Sequence, residues 1–292
     1  MIDYRNIIKN KNIRLILINM LGFIPTKYYL KIVYWIKTGK KLNLESPKGF
    51  NEKINWLKIN DIHEEYTKYV DKIEVKKIVE ERIGKGYTFP LLGYWEKFEN
   101  IDFDSLPSKF VLKCTHDSGS VKIIKDKEKV NYKELRNFYS NRLKVSAYNL
   151  GREYPYRDVR KFIMAEEYIV DENGKTPNDY KFFCFNGEPK FMFVATDRET
   201  DVTHTLYDMD FKRLPIHYIH KQIDYEMEKP TTFELMKEIA RKLSIGMRFV
   251  RIDLYEINGK VYFGEYTFFP AGGFYLMEPN EWELKFGDMI KL

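Results

Sequence analysis

Only two cysteines occur in the 292 residues, Cys114 and Cys184. Neither belongs to a CxxC or Cys/His spacing, which excludes a zinc module and a disulfide framework. Both lie in apolar stretches and read as buried thiols of a reducing compartment. Long apolar runs are scarce too. The stretch Leu15 to Phe23 is broken by Asn19 and is far too short to span a bilayer, and with Asp3 and Arg5 ahead of it and no cleavage site it does not read as a secretion signal. No glycine-rich Rossmann fingerprint follows a predicted strand, and no Gly-Xaa-Ser-Xaa-Gly elbow occurs, so dehydrogenase and hydrolase readings drop out. His63, His116, His204, His217 and His220 never meet at metal-ligand spacing except for the last two, and no cysteine or carboxylate completes that pair, which reads as surface. Repeats, low-complexity segments and Gly/Ser linkers are also missing.

What is present is apolar and aromatic material, 44% and 16% of the chain, enough at this length for two or three subdomains with a real core. The net charge of +6 is uneven: residues 1–60 hold 12 Lys/Arg against 3 Asp/Glu, and the remainder is slightly acidic. A basic, aromatic-rich start is either a solvated helical surface or a face for an anionic glycan or lipid; no nucleic-acid motif accompanies it, so nucleic acid is not expected as a partner. Tyr28 to Trp35, flanked by Lys27, Lys31 and Lys37, reads as a helix whose aromatic face is core or lies on a membrane surface.

The pattern predicts a mostly helical region over residues 1–100, with Thr26 as an N-cap, Gly39 as a stop and a long amphipathic run from His63 to Arg82 closing at Gly84. Strands dominate afterwards, with a helix over Tyr132 to Tyr148 and another over Phe233 to Leu243 capped by Thr231 or Thr232. Residues 151–161, with Arg152, Arg157 and Arg160 around Tyr154 and Tyr156, read as a basic loop, exposed or seating an acidic substrate.

Chemistry concentrates in Arg251 to Pro270. Two apolar runs separated by Asn258-Gly259 read as a hairpin, and a period of two sets Arg251, Asp253 and Tyr255 on one face opposite Glu265 and Thr267. Two carboxylates converging beside an arginine suit either a hard divalent cation that holds a phosphate or an ordinary cross-strand charge cluster. Upstream, the strand Phe110 to Cys114 carries Lys113 into the polar loop His116, Asp117, Ser118, Gly119, Ser120, and a second apolar strand returns. Backbone amides at such a tip and a strand lysine suit phosphate oxygens, although no Gly-Lys-Ser/Thr of a Walker loop is there. Between these lie Ile163 to Val170, with Glu166 and Glu167, then Asp179 to Phe185, the turn Asn186-Gly187, and Lys190 to Ala195.

The order of these parts resembles the ATP-grasp enzymes. Phe50 to Lys58, Asp71-Lys72, Phe89 to Gly93, the Lys113 strand, Glu166-Glu167-Tyr168, Asp179-Tyr180-Lys181, Asp197-Arg198, Arg251 to Tyr255 and Phe263 to Phe268 carry a closer resemblance, to the TupA-like ATP-grasp family. That family is named for a teichuronopeptide biosynthesis protein and is often described as glycosyltransferase. The resemblance implies an α+β chain with an ATP-grasp fold: a helical N-terminal region over 1–100, a small subdomain over 101–170 and a large one over 171–292. By the same resemblance Lys113 contacts nucleotide phosphates and His116, Asp117, Ser118, Gly119 and Ser120 form a mobile loop closing on them. Glu166, Glu167, Tyr168 and Ile169 supply the hinge whose backbone reads adenine, and Asp179 meets the ribose. Lys181 and Arg198 stabilise the transferring phosphate or hold a substrate carboxylate. Asp253 and Glu265 ligate magnesium, Arg251 on the same strand face meets a developing negative charge, and Thr267, standing where these folds carry asparagine, offers its hydroxyl as a third metal ligand.

The implied function is ATP- and magnesium-dependent ligation of a carboxylate, of an anionic sugar or an amino acid, to an amine during synthesis of capsule, O-antigen or a teichuronopeptide-like polymer. The substrates are free, nucleotide-linked or lipid-linked, and the expected place is cytoplasmic or peripheral at the inner face of the membrane. A glycosyltransferase, an ATP-grasp kinase and a non-catalytic glycan- or lipid-binding module stay open as alternatives.

Overall fold

A computed structural model describes residues 23–171, 174, 176–197 and 201–292. Arg198 and the apolar run ahead of Phe23 lie outside them. Among the described residues, nine strands form two antiparallel sheets. The smaller has the order β1 (Leu91–Trp95), β4 (Ile163–Glu167), β2 (Phe110–Cys114), β3 (Lys122–Ile124). The larger has the order β7 (Thr203–Asp208), β6 (Glu188–Thr196), β5 (Asp179–Phe185), β8 (Phe249–Ile257), β9 (Lys260–Thr267). Eight helices accompany them in the described chain: α1 (Thr26–Thr38), α2 (Phe50–Asn60), α3 (Tyr66–Val70), α4 (Glu74–Ile83), α5 (Tyr132–Arg142), α6 (Ala147–Gly151), α7 (Phe233–Ser244) and α8 (Glu281–Met289). The α+β class expected from the sequence is the one found.

Local chemistry explains where the helices break. The run expected to be continuous from His63 to Arg82 is two helices, because the Asp71 carboxylate accepts from Ile73 N (2.8 Å) and Glu74 N (3.2 Å) and so caps a new helix in mid-run. The helix expected over Tyr132 to Tyr148 ends at Arg142, and Ser146 caps the short α6 that follows. Thr26 is not a cap but the first helical residue, entered from Pro25. Gly39 and Gly84 stop their helices at φ 71° and 93°, a region that favours glycine.

Both faces of the large sheet are covered, which is why β5 and β6 are nearly continuous apolar runs. α7 buries Phe233, Met236, Ile239, Ala240 and Leu243, with Phe233 6.1 Å from Phe182. On the opposite face Phe50 of α2 packs against Phe183, Phe185 and Phe249, and Phe286 of α8 stacks on Phe191 at 3.8 Å. That second face changes character along the strands. Phe183, Phe185 and Phe249 lie under α2, whereas the charged Arg251, Lys181, Asp253 and Asp179 stand at and beyond the Phe183 row. In the small sheet Phe110, Leu112, Cys114, Ile163 and Ala165 form one core with Leu135 and Tyr139 of α5. Alternation then turns Lys113 and Glu166 the other way.

Candidate active site

The β8–β9 hairpin forms as its turn residues demand, Asn258 and Gly259 both adopting positive φ (52° and 72°). Its register pairs Asp253 with Glu265 and Arg251 with Thr267, and β5 adds Lys181 opposite Asp253 and Asp179 opposite Tyr255. A bulge between Asp253 and Leu254 keeps the two acids paired. Gly264 is required there, since a Cβ would meet Tyr255 Cε2 at 2.9 Å and the Asp253 carbonyl at 3.1 Å. Asp179, Lys181, Arg251, Asp253, Glu265 and Thr267, predicted from scattered segments, thus share one face.

Asp253 is the centre of that face. Arg251 grips it with a fork, Nε to Oδ1 and Nη2 to Oδ2 at 2.7 Å each, and Lys181 forms an ion pair with Oδ2 while also reaching Asp179 at 2.6 Å. Burial works to raise its pKa, but Arg251 and Lys181 outweigh burial and hold the carboxyl below its ordinary value. Arg251 Nη2 also reaches Glu265 Oε1 (3.3 Å) and Thr267 Oγ1 (3.0 Å), and the Thr267 hydroxyl donates to Glu265 at 3.0 Å. Glu265 keeps 40% of its side chain exposed.

Across from this row stands a second charge cluster that sequence patterning found only in part. Glu166 is buried between two lysines, ion-paired with Lys113 and 2.6 Å from Lys76 of α4. Burial pushes its pKa up, and the two lysines more than reverse that. The carboxylate side chain is therefore the charged group here. The Glu166 backbone sits inside the sheet, and the Glu167 N–H donates to the Pro90 carbonyl (3.1 Å). Tyr168 and Ile169 follow the end of β4.

Lys72, at the break between α3 and α4, donates to the carbonyls of Asp117 (2.6 Å) and Thr115 (3.3 Å). Burial lowers its pKa; Glu265 opposes and Lys113 reinforces that shift, so this lysine lies within electrostatic reach of both clusters. The loop after Lys113 is anchored at its base. Arg142 holds Asp117 by Nε (2.7 Å) and Nη2 (2.5 Å), Ser120 Oγ donates to Asp117 (2.5 Å), Tyr139 OH donates to the Ser120 carbonyl (2.9 Å), and His116 Nε2 lies 3.2 Å from the Arg142 carbonyl. Ser118 and Gly119, the latter at φ 89°, are the exposed part.

Other groups at or near this face carried no specific role in the sequence. Burial, Glu265 and Glu153 drive the Tyr156 phenol well above its ordinary pKa, which puts a residue of the Gly151–Lys161 segment beside the acids. Arg152, in the segment expected to be exposed or to seat an acidic substrate, is buried at φ 52° with its guanidinium 4.6 Å from the Tyr29 ring. His204 pairs with Ala195 on the row of Asp179, and stacks on Phe193 (4.3 Å) and edge-on to His220 (4.5 Å). Burial and His220 hold its pKa down at about 3, so it is a neutral imidazole. His220 is therefore half-buried against another ring, while His217 is exposed as expected.

The void between Lys72, Lys76, Phe89, Lys113, Glu166 and Gly264 measures about 20 Å³. A second, of about 10 Å³, lies between Lys72, Tyr156, Gly264 and Glu265. A cavity of about 650 Å³ lies elsewhere, lined by Lys125, Tyr180, Asp197, Tyr225, Glu256 and Asn258. Tyr180 and Glu256 alternate with Asp179 and Tyr255, and of the Asp179 row Ala195 lines that larger space. Among the described residues no group of three His, Cys, Asp or Glu stands ready for a metal. The donors at Asp253, Glu265 and Thr267 are nonetheless all oxygens, which suits magnesium completed by waters and phosphate. The cations now on Asp253 mark a place where positive charge is stabilised.

The TupA-like ATPgrasp family matches residues 52–291. Comparison with curated proteins gives no match. Similar solved structures include a D-alanine–D-alanine ligase from Bacillus anthracis complexed with ATP (17% identity, 76% of this chain and 63% of that one, TM-score 0.41). The D-alanine–D-alanine ligase from Helicobacter pylori is similar over 84% of this chain and 67% of its own (12% identity, TM-score 0.45). The ATP-grasp ligase PsnB complexed with its minimal precursor is similar over 70% and 54% (9% identity, TM-score 0.39). The chain thus spans less than two thirds of the length of the ATP-complexed Bacillus anthracis ligase and of PsnB.

Proposed function

Because this chain belongs to the TupA-like ATP-grasp family, we propose that it is an ADP-forming ligase joining a carboxylate to an amine on a precursor of a cell-surface polysaccharide. The observation that carries the reading is the facing of two charge clusters across the two sheets: Lys113, Lys76 and Glu166 on one side, Lys181, Asp253, Arg251 and Glu265 on the other. Phosphoryl transfer asks a protein mainly for positioning and charge neutralisation, and these side chains supply both.

Lys113 and Lys76 neutralise phosphate oxygens of ATP, turning away from Glu166, whose carboxylate keeps their ammonium groups in place when the nucleotide is absent. Asp253 and Glu265, with water or the Thr267 hydroxyl, would hold magnesium, which would supply positive charge to neutralise the triphosphate. Arg251, permanently charged and forked onto Asp253, is available to the developing negative charge, and Lys181 stabilises the transferring phosphate or holds the substrate carboxylate. A carboxylate oxygen attacks the γ-phosphorus, the bond to the β–γ bridging oxygen breaks and ADP leaves. The amine then attacks the acyl carbon, phosphate departs with the carbon–oxygen bond electrons, and the amine gives up a proton. Closure of the sheets keeps water from the acyl phosphate. The carboxylate belongs to a uronic acid or an amino acid, and a lipid- or nucleotide-linked carrier is compatible with the site.

Candidate acids are incubated with ATP, magnesium and hydroxylamine. The expected products are ADP, phosphate and a hydroxamate. AMP release contradicts the reading, and a stable phosphorylated product assigns a kinase instead.

A further inference from the structure

The outer side of α1 carries an apolar stripe that nothing in the described chain covers. Tyr28, Ile32, Trp35 and Ile36 recur at i, i+4, i+7 and i+8 on one helix face and are 61, 41, 60 and 38% exposed. The inner side is ordinary core: Tyr29, Leu30 and Tyr34 pack with Leu42, Leu44 and Phe274. The aromatic helix thus has two separate apolar faces, and core packing accounts for only one of them.

Its surroundings are cationic. Lys27 and Lys31 of the same helix share a single acid, Glu45, at 3.0 and 3.2 Å, and Lys40 and Lys41 follow its C-terminus on the surface. Residues 1–60 together carry 12 Lys/Arg against 3 Asp/Glu. We propose that the outer face of α1 docks on an anionic lipid surface, with Ile32 and Ile36 inserted at the acyl boundary, Tyr28 and Trp35 at headgroup level, and the lysines against lipid phosphates. Rings with a polar edge and lysines with long apolar stems suit that boundary, and the excess positive charge attracts the helix to it. A second copy of the chain is a poorer occupant, because a two-fold contact sets Lys27 and Lys31 against their own counterparts.

Leu276, which follows the Pro270–Gly273 turn after β9, packs against the same apolar cluster that the inner face of α1 joins.

The test is co-sedimentation of the full chain with vesicles of phosphatidylcholine alone and of phosphatidylcholine mixed with phosphatidylglycerol. Binding is expected only to the anionic vesicles and is expected to weaken with salt. Ile32→Glu combined with Trp35→Glu is expected to lower binding at least about tenfold, with thermal stability and nucleotide binding unchanged because both side chains are exposed. No binding to anionic vesicles overturns the proposal, as does equal binding to neutral ones or by the double variant. Dimerisation that the double substitution abolishes, without vesicle binding, assigns the stripe to a second copy instead.

Discussion

Asp253 and Glu265 are neighbours across one strand pair, yet neutralising them has different consequences. Glu265 is partly exposed and shares its contacts with a hydroxyl, so Glu265→Gln is expected to leave thermal stability nearly unchanged while ADP release falls at least about a hundredfold, the scale of losing a transition-state charge contact. Asp253 is enclosed by Arg251 and Lys181. Asp253→Asn leaves both cations buried without their carboxylate and is expected to cost about 3–5 kcal/mol of stability as well as turnover. Melting curves and ADP release on the two variants check this; equal stability of both contradicts the assigned enclosure. A period of two in the sequence reveals that the acids share a face. It does not reveal which one is surrounded by cations, because that depends on Lys181 arriving from a strand more than seventy positions away.

At the scale of elements, the parts legible in the sequence are those whose determinants are local. The Asn258-Gly259 turn, the alternation through β8 and β9, and the glycine stops of α1 and α4 all depend on neighbouring residues. Lys76 and Lys72 were not assigned roles, because what aims them is the Asp71 cap that breaks one expected helix into two. The joint between α2 and α8 was equally silent. Asn51 of α2 donates to both Glu283 oxygens and to the Tyr275 carbonyl (2.8 Å), and Gly287 lets the helix approach so closely that a Cβ would lie 2.1 Å from the Lys48 carbonyl. Burial raises the Glu283 carboxyl from 4.5 to about 7, with Asn51 opposing. Between these values the folded chain binds the proton and the unfolded chain does not, so this group makes stability fall as pH rises from 4.5 to 7, by roughly 3 kcal/mol at most. Glu283→Gln is expected to remove that slope from a series of denaturant melts. Identical slopes in the variant and the wild type contradict the assignment.

At the scale of the molecule, the two sheets and the α3–α4 segment close on one another. A void of about 20 Å³ beside Lys113 has room for a water and none for a triphosphate. Glu166 ties Lys76 of α4 to the small sheet, whereas the ion pairs of Asp253 lie within the large sheet. A lysine strand running into a polar loop, a later strand with acids and a final hairpin with paired acids were visible as an order of segments. The closure was not, since it arises from contacts between segments that no local pattern connects. Calorimetric titration with a nonhydrolysable ATP analogue tests the whole arrangement most directly. Saturable one-to-one binding that requires magnesium and is lost in Lys113→Met is expected; no heat of binding with magnesium present, or undiminished binding by that variant, overturns the assigned nucleotide site.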